Sequence, residues 1–374
     1  MAADKNIGFR TTWAEIDLSA LEFNFLKVKG LVGKKIKIMA VIKSDAYGHG
    51  LLPVAKRLAK LGVDYLAVSG IDEAVILRKN RIKLPILIMG NILSRDIDAV
   101  IEHRLTQTIS DYQLAYALNQ KAKAKDRVVA VHIKVDTGMG RLGILYREAK
   151  EFVKSLRHFH NLKIEGLFTH FPSADCDPEF TNYQIDIFNQ LIRELSESGL
   201  RIPLLHAANS MGIIKYPNSY FSLVRPGLML YGLYPKQGLG IRLKPVLSLK
   251  SRVVYLKRMH PGQGISYGRS YITKKQTTIA ILPIGYSNGY PRNLSNRSDV
   301  LIKGRRFRIT GAVCMDQIIV DVGDSKIKIG DEVVLIGRQG KLDISAEELA
   351  SICQTIPYEI VCGINSKVAR LYIN

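Results

Sequence analysis

The sequence is poor in cysteine, in long apolar runs and in acidic residues, and each shortage excludes something. Its 374 residues hold four cysteines, Cys176, Cys314, Cys353 and Cys362. None form a C-x-x-C pair and none stand beside histidines at zinc-ligand spacing, which argues against a zinc site or a disulfide framework. No apolar stretch reaches the length that spans a bilayer. Met1 to Arg10 mixes charges with small residues and has no apolar signal core, so a cytoplasmic protein is expected, with no membrane partner. Acidic residues number 33 against 54 Lys and Arg, a net charge of +21. Such an excess suits nucleic-acid binding. The basic clusters, Lys121 to Arg127 and Lys303 to Arg308, however, fall at a helix–strand junction and between two strand-like runs. No aromatic-interleaved basic stripe or nucleic-acid module accompanies them. The charge therefore reads as a basic solvated surface, whose field favours small anionic ligands.

What is present is an alternation. Strand-like and helix-like segments follow one another through the first two-thirds of the chain. The strands are read at Lys35 to Lys43, Asp64 to Ser69, Pro85 to Met89, Leu105 to Ile109, Val128 to Val135, Lys163 to Thr169, Leu204 to Ala208 and Ser222 to Tyr231. The helices are read at Leu51 to Leu61, Ile71 to Asn80, Arg95 to His103, Asp111 to Lys123, Arg147 to His158 and Asn182 to Ser198, with a short one from Asn209. Apolar strands with amphipathic helices between them point to a parallel sheet. Eight such units in roughly 200 residues point to a (β/α)8 TIM-type barrel, with an open doubly wound sheet as the alternative. After about residue 240 the pattern changes. Val246 to Met259, Thr277 to Ile284, Val300 to Arg308, Gln317 to Val322 and Glu332 to Ile336 read as strands, and only Ala346 to Gln354 as a helix. The expected division is a barrel over residues 1–240 and a mainly β domain over 241–374. Thr11 to Leu18 alternates like a strand before the barrel begins and is expected to pair with the second domain.

A barrel enzyme keeps its site at the C-terminal ends of its strands. The first strand ends in Val41-Ile42-Lys43-Ser44-Asp45-Ala46-Tyr47-Gly48-His49-Gly50. A lysine closing an apolar strand is partly desolvated, which lowers its pKa and makes its amine a nucleophile toward an aldehyde. Strand seven ends in His206-Ala207-Ala208-Asn209-Ser210, and strand eight carries Arg225-Pro226-Gly227. Loops after strands seven and eight commonly bind phosphate. Ser210 offers a hydroxyl, and Gly227 lets a backbone amide approach an anion. Taken singly, a strand-end lysine, a loop serine and a turn glycine are ordinary surface features. Together they fit pyridoxal 5'-phosphate, with a lysine for the aldehyde and donors for the phosphate.

The segment around Lys43 resembles the signature of bacterial alanine racemases. So do Val135-Asp136-Thr137-Gly138-Met139-Gly140-Arg141-Leu142-Gly143, His206 to Ser210, Arg225 to Gly232, Ile265-Ser266-Tyr267-Gly268, Cys314-Met315-Asp316 and Pro357-Tyr358-Glu359. The matches run in order from about residue 11 to the C-terminus, which is stronger than any single motif. The resemblance implies racemisation of alanine in a homodimer, supplying D-alanine for cell-wall peptidoglycan. It implies that Lys43 holds the cofactor and is one of two bases. Tyr267, from the β domain of the partner subunit, is the other. It gives the phosphate to Tyr47, Ser210, Gly227, Leu228 and Tyr358. Arg225 is set against the pyridine nitrogen, and His170 between Arg225 and the catalytic tyrosine. Arg141 lies at the cofactor's phenolic oxygen, and Met315 with Asp316 at the substrate carboxylate. Lys134 matches a lysine that is carbamylated in many members and orients that arginine. Tyr286 resembles a residue of the substrate entrance.

These roles agree with elementary chemistry. Racemisation takes the α-proton from one face and returns one to the other, so two bases on opposite faces are simpler than one that crosses. An arginine is too weak an acid to protonate the ring nitrogen, which limits the electron sink and disfavours transamination. A free tyrosine has a pKa of about 10 and needs cationic neighbours to act as a base, which the His170–Arg225 chain is expected to supply. Ser44, where many members have alanine, Met211, where a smaller residue is common, and Leu228, for a frequent isoleucine, depart from the pattern. Ser44 and Met211 bear on pocket shape, and a methylene is worth only ~1–3 kcal/mol, so a broader small-amino-acid racemase acting on serine is the alternative. An amino-acid decarboxylase is disfavoured by the Tyr267 and Met315 motifs. A non-catalytic single-barrel cofactor binder is disfavoured by the long β domain.

Overall fold

A computed structural model describes residues 10–236 and 238–374. Eight parallel strands form the N-terminal sheet: Lys37–Val41, Tyr65–Val68, Ile86–Ile88, Thr106–Ile109, Val129–Asp136, Leu162–Phe168, Leu204–His206 and Leu223–Val224. Neighbours in sequence are neighbours in the sheet, and Leu223 also pairs with Lys37. Backbone bonds from Ser222 N to Leu205 O (3.1 Å) and Arg225 N to Ala208 O (2.9 Å) join the last strand to the seventh and bring the ring round on itself. This is the (β/α)8 barrel. Its strands are short and almost wholly buried because helices cover the outside, so nearly every position faces apolar neighbours.

The second region is built from strands. One sheet runs in the order Arg305–Arg308, Asp299–Ile302, Glu332–Gln339, Leu247–Arg252, Trp13–Asp17, Ala369–Ile373. A second holds Tyr255–Met259, Thr277–Leu282 and Ile318–Asp321, and a small hairpin pairs Gly264–Ile265 with Tyr271–Ile272. Trp13–Asp17 lies antiparallel to Leu247–Arg252 and parallel to Ala369–Ile373, so the first and last described strands meet in this sheet. Asp17 then caps the helix Leu18–Val32, accepting from Ser19 N and Ala20 N at 2.8 and 2.9 Å. Asn24 of that helix bonds to Leu230 O, Lys244 O and Lys244 N, tying the barrel's end to the start of the strand region. No helix among the described residues is long and apolar enough to cross a membrane.

Several element boundaries differ from the sequence reading. The strand expected over Ser222 to Tyr231 is only Leu223–Val224. Pro226 has no amide to give the ladder, and Leu228–Tyr231 coils into a 3-10 turn. The helix expected from Asn182 begins at Pro178, with Asp177 accepting from Phe180 N at 3.0 Å and proline in the first turn. Val246 to Met259 is two strands in different sheets. The chain turns at Val253 and Val254, whose amides bond to Asp331 O and Ile281 O. Val300 to Arg308 is a hairpin about Lys303 and Gly304, both at positive φ (51° and 70°), the two-residue turn that matches strand twist. The helices Leu18–Val32 and Pro357–Gly363 and the strand Ala369–Ile373 lie where the sequence reading placed no barrel or strand-domain element.

Candidate active site

The first barrel strand ends in a turn of unusual hand. Ser44, Asp45, Ala46 and Tyr47 have φ of 55°, 54°, 53° and 56°. A left-handed turn of non-glycine residues costs roughly 1–2 kcal/mol per residue. It persists because its surroundings fix it. Glu73 accepts from Asp45 N at 3.0 Å and from Ser69 N and Oγ at 3.1 and 3.0 Å. Asp45 accepts from Leu51 N at 2.7 Å. His49 Nδ1 faces two carbonyls, Ala46 O at 3.0 Å and Tyr47 O at 2.8 Å, so it carries the proton and donates to them. Gly48, at φ 77°, abuts the helix Pro357–Gly363: a Cβ there would collide with Val361 O. The same helix carries Tyr358.

This turn presents Lys43 half-buried at the strand end. Burial first, then the Arg141 guanidinium, holds its amine below the ordinary lysine value. Tyr47 is buried, with its ring 4.8 Å from that of Tyr231 and 5.9 Å from that of Tyr358. Burial and then Tyr358 keep the Tyr47 hydroxyl protonated, and burial pushes Tyr358 up to about 12. The Tyr47 hydroxyl points at Gly227, where a Cβ would sit 2.6 Å from it. Ser210 Oγ accepts from Gly227 N at 3.1 Å and from Met229 N at 3.3 Å, and Leu228 is buried between them. Lys43, Tyr47, Ser210, Gly227, Leu228 and Tyr358, which are far apart in sequence, thus border one end of the barrel.

Arg225 is 2% exposed. Its Nη1 donates to His206 Nδ1 at 2.8 Å, and its Nη2 to Thr169 O at 2.6 Å, to Ala207 O at 2.9 Å and weakly to His170 Nδ1 at 3.4 Å. The guanidinium lies over the Phe168 ring at 5.3 Å. Its Nε has no partner. A buried donor without a partner is rare enough to mark a place where something else is accommodated. Burial pushes Arg225 down to about 9, which leaves it a cation at neutral pH. His170 is lowered well below the ordinary imidazole range, by burial and then Arg225. It is therefore neutral, and the positive charge expected of the His170–Arg225 chain sits on Arg225 alone.

Around Asp136 the chain closes tightly, with Gly138, Met139 and Gly140 amides all donating to its carboxylate. This loop carries Arg141, exposed at the rim, past Lys134, which is 5% exposed. Lys134 Nζ donates to Val135 O at 2.9 Å and stands 5.4 Å over Phe168. Burial and then Arg225 push it down to about 7.

The remaining expected residues lie on the strand region. Tyr267 is 74% exposed, Met315 54% and Tyr286 44%. Tyr286 N and Ser287 N donate to Cys314 O and Met315 O, which ties the loops of Tyr286 and Met315 together, and Ser287 Oγ donates to Asp316. Ser266 Oγ donates to Ala312 O at 2.7 Å and fixes the turn before Tyr267. Among the described residues no hydrogen bond or ring contact joins Tyr267, Met315 or Asp316 to Lys43, Tyr47 or Arg225. The structure brings the barrel set together and gathers the strand-region set elsewhere on the chain.

Glu73, which holds the lysine turn, and His132, which meets His206 at 2.9 Å, were not singled out from sequence. His132, Lys134 and Asp136 alternate along one face of an otherwise apolar buried strand, and that alternation of polar residues was the available signal.

Two family models cover most of the chain: alanine racemase, N-terminal domain, over residues 16–235, and alanine racemase, C-terminal domain, over residues 246–372. An alanine racemase of Halothermothrix orenii is 49% identical over 98% of this chain and 97% of its own length. One of Symbiobacterium thermophilum is 42% identical over 98% of each. The solved alanine racemase of Clostridium difficile superposes with a TM-score of 0.93 at 40% identity, over 98% of this chain and 96% of that one. A solved alanine racemase from Bartonella henselae with covalently bound pyridoxal phosphate superposes with a TM-score of 0.89 at 28% identity, over 97% and 100%.

Proposed function

The chain belongs to the alanine racemase family, and on that footing we propose how its own residues interconvert L- and D-alanine with pyridoxal 5'-phosphate. The relatives named above are alanine racemases, so alanine is the substrate rather than serine.

The residues present suit the cofactor. Of the three Arg225 nitrogens only Nε is left without a partner by the barrel, and its N–H is a donor suited to an unprotonated ring nitrogen. Gly227 leaves open the space a Cβ would fill beside the Tyr47 hydroxyl. Two tyrosine hydroxyls, the Ser210 hydroxyl and backbone amides of Gly227 and Leu228 make a set of neutral donors suited to a phosphate. When bound, the cofactor supplies an aldehyde for an amine and draws electron density from the α-carbon, which makes the α-proton removable.

Lys43 would hold the cofactor and move the proton on one face, and burial, which lowers its pKa, favours the neutral amine that both tasks need. Tyr267 of the partner subunit moves the proton on the other face. In its own chain Tyr267 is largely exposed and makes no hydrogen bond or ring contact with Lys43 among the described residues, which supports a site completed by a second copy. Arg225 would offer the bound cofactor a hydrogen-bond donor but no readily released proton, which would limit its electron sink and disfavour transamination. His170 accepts from Arg225 on Nδ1 and therefore presents Nε2–H toward the incoming tyrosine. Arg141, at the rim and close enough to act on the Lys43 amine, would help hold the bound cofactor. Met315 and Asp316 of the partner subunit receive the substrate carboxylate, and Tyr286 guards the approach. Lys134, uncharged in good part at neutral pH, takes up carbon dioxide as a carbamate and orients Arg141. The D-alanine serves peptidoglycan synthesis in the cytoplasm.

Within the chain the observation that carries this reading is the buried Arg225 with its unpartnered Nε. The test is L-alanine with the cofactor in deuterated water, chirality and α-deuterium followed together. D-alanine carrying α-deuterium is the expected product. Exchange without inversion would remove the two-base assignment, and no exchange with any small amino acid would remove the activity. Supplying 13C-labelled carbon dioxide should give a carbamate signal that grows as pH rises through about 7, since only the neutral Lys134 amine reacts. A signal that survives in Lys134→Gln would assign it elsewhere.

A further inference from the structure

Behind Arg225 a line of polar side chains crosses the barrel interior from the site toward the opposite end. His206 closes the seventh strand, His132 and Glu165 sit inside the fifth and sixth, and Tyr65 opens the second. Arg225 Nη1 lies 2.8 Å from His206 Nδ1, and His206 Nε2 lies 2.9 Å from His132 Nδ1. His132 Nε2 faces Glu165 Oε2 at 3.7 Å, and Tyr65 donates to the same oxygen at 2.5 Å. Gly166 makes the room, since a Cβ there would run into the His132 ring.

The two ends fix the direction of every proton. A guanidinium only donates, so His206 accepts on Nδ1. A neutral imidazole carries one proton, so His206 carries it on Nε2 and donates to His132 Nδ1. His132 then carries its own proton on Nε2, facing the carboxylate. Burial lowers both imidazoles, in agreement with neutral rings. The gap of 3.7 Å is longer than a hydrogen bond, so Glu165 acts on His132 as a facing charge. Two neutral rings thus stand in series between a buried cation and an anion. Among the described residues no carboxylate lies within ion-pair distance of Arg225, and a buried cation without a counter-charge is strongly disfavoured.

We propose that Glu165 is the remote counter-charge of Arg225 and a positioning residue for the reaction. Acting through His132 and His206, it holds the guanidinium charged and oriented, with Nε left free for the cofactor ring. A carboxylate placed directly on Arg225 would compete for that donor, and one placed two rings away does not. The consequence for turnover rests on the racemase reading above, but the proton arrangement does not.

The test has two parts. Nitrogen-15 spectra of the histidine-labelled protein as purified, at pH 7, should show His132 and His206 neutral with Nε2–H, linked by a coupling across their mutual hydrogen bond. A proton on His206 Nδ1 would overturn the proposal whether or not the protein racemises alanine. In the holoenzyme, Glu165→Gln keeps the shape and removes the charge. It should shift the cofactor's visible absorption band and lower kcat for alanine about tenfold at unchanged KM, while Glu165→Asp restores both. A merely structural glutamate would tolerate glutamine. Wild-type absorption and kcat in Glu165→Gln would overturn the proposal. Absent turnover in the wild type would instead count against the racemase reading and leave the spectra to decide this one.

Discussion

The two halves of the candidate site are built in opposite ways. On the barrel, Arg225 and Lys134 are 2% and 5% exposed, and both Nη atoms of Arg225 bond to named partners while Nε does not. On the strand region, Tyr267 and Met315 are 74% and 54% exposed, and the anchors nearby are the Ser266 hydroxyl on Ala312 O and the Ser287 amide on Met315 O. The barrel half is prearranged by folding, since its charged groups are held before any ligand arrives. The strand half is a surface, and a large exposed aromatic beside an exposed methionine gains its environment only when something covers it. On the reading proposed above, a site split in this way would make assembly a condition of catalysis.

The sharpest way to break this comparison is to mix two inactive variants. Lys43→Ala and Tyr267→Phe should each lose turnover by about 10²–10⁴-fold or more, with Tyr267→Phe keeping its cofactor and failing mainly from L-alanine. Co-expressed in equal amounts, they should regain about a quarter of wild-type activity, because half the dimers then hold one intact site. No recovery would place both bases in one chain. A smaller effect is expected within the barrel half. Arg225→Glu offers the ring a carboxylic acid in place of a donor-only cation, so transamination products should rise relative to racemisation. An unchanged product ratio would remove the electron-sink argument. Smaller again is Glu73→Ala, which strips the lysine turn of the acceptor for Asp45 N and Ser69 N. Unfolding by denaturant should show a loss of about 1–3 kcal/mol, and cofactor affinity should fall with it. The smallest change is on the strand half. Ser266 lies at φ 63°, ψ −174°, a region that favours glycine. Ser266→Gly removes both that strain and the bond to Ala312 O, so stability should change by less than about 1 kcal/mol. Turnover should drop several-fold as Tyr267 loosens. A parallel loss of stability and activity would mean that the turn serves folding alone.

Much of the barrel was legible because its signal is local. Apolar runs such as Tyr65–Val68 alternate with amphipathic helices such as Leu51–Lys60, and each pattern is complete within about ten residues. Chain turns were less legible. Nothing local announces that Leu247–Arg252 and Tyr255–Met259 join different sheets, because a continuous run suits one strand as well as two. The left-handed turn after Lys43 was hidden for the opposite reason. Ser44 to Tyr47 have no preference for that conformation, and Glu73, His49 and Gly48 impose it from outside.

The sequence by itself determined which chemistry is available: an amine at a strand end, hydroxyls and a glycine after strands seven and eight, an arginine in place of an acid. Those are properties of residue types and their order. Only the tertiary structure decided that Arg225 keeps Nε free, that His170 is neutral, that His132 and His206 stand between Arg225 and Glu165, and that Tyr267 is left largely exposed. The physical reason is that protonation and hydrogen-bond direction depend on burial and on partners drawn from different strands. Those partners meet only when the barrel closes.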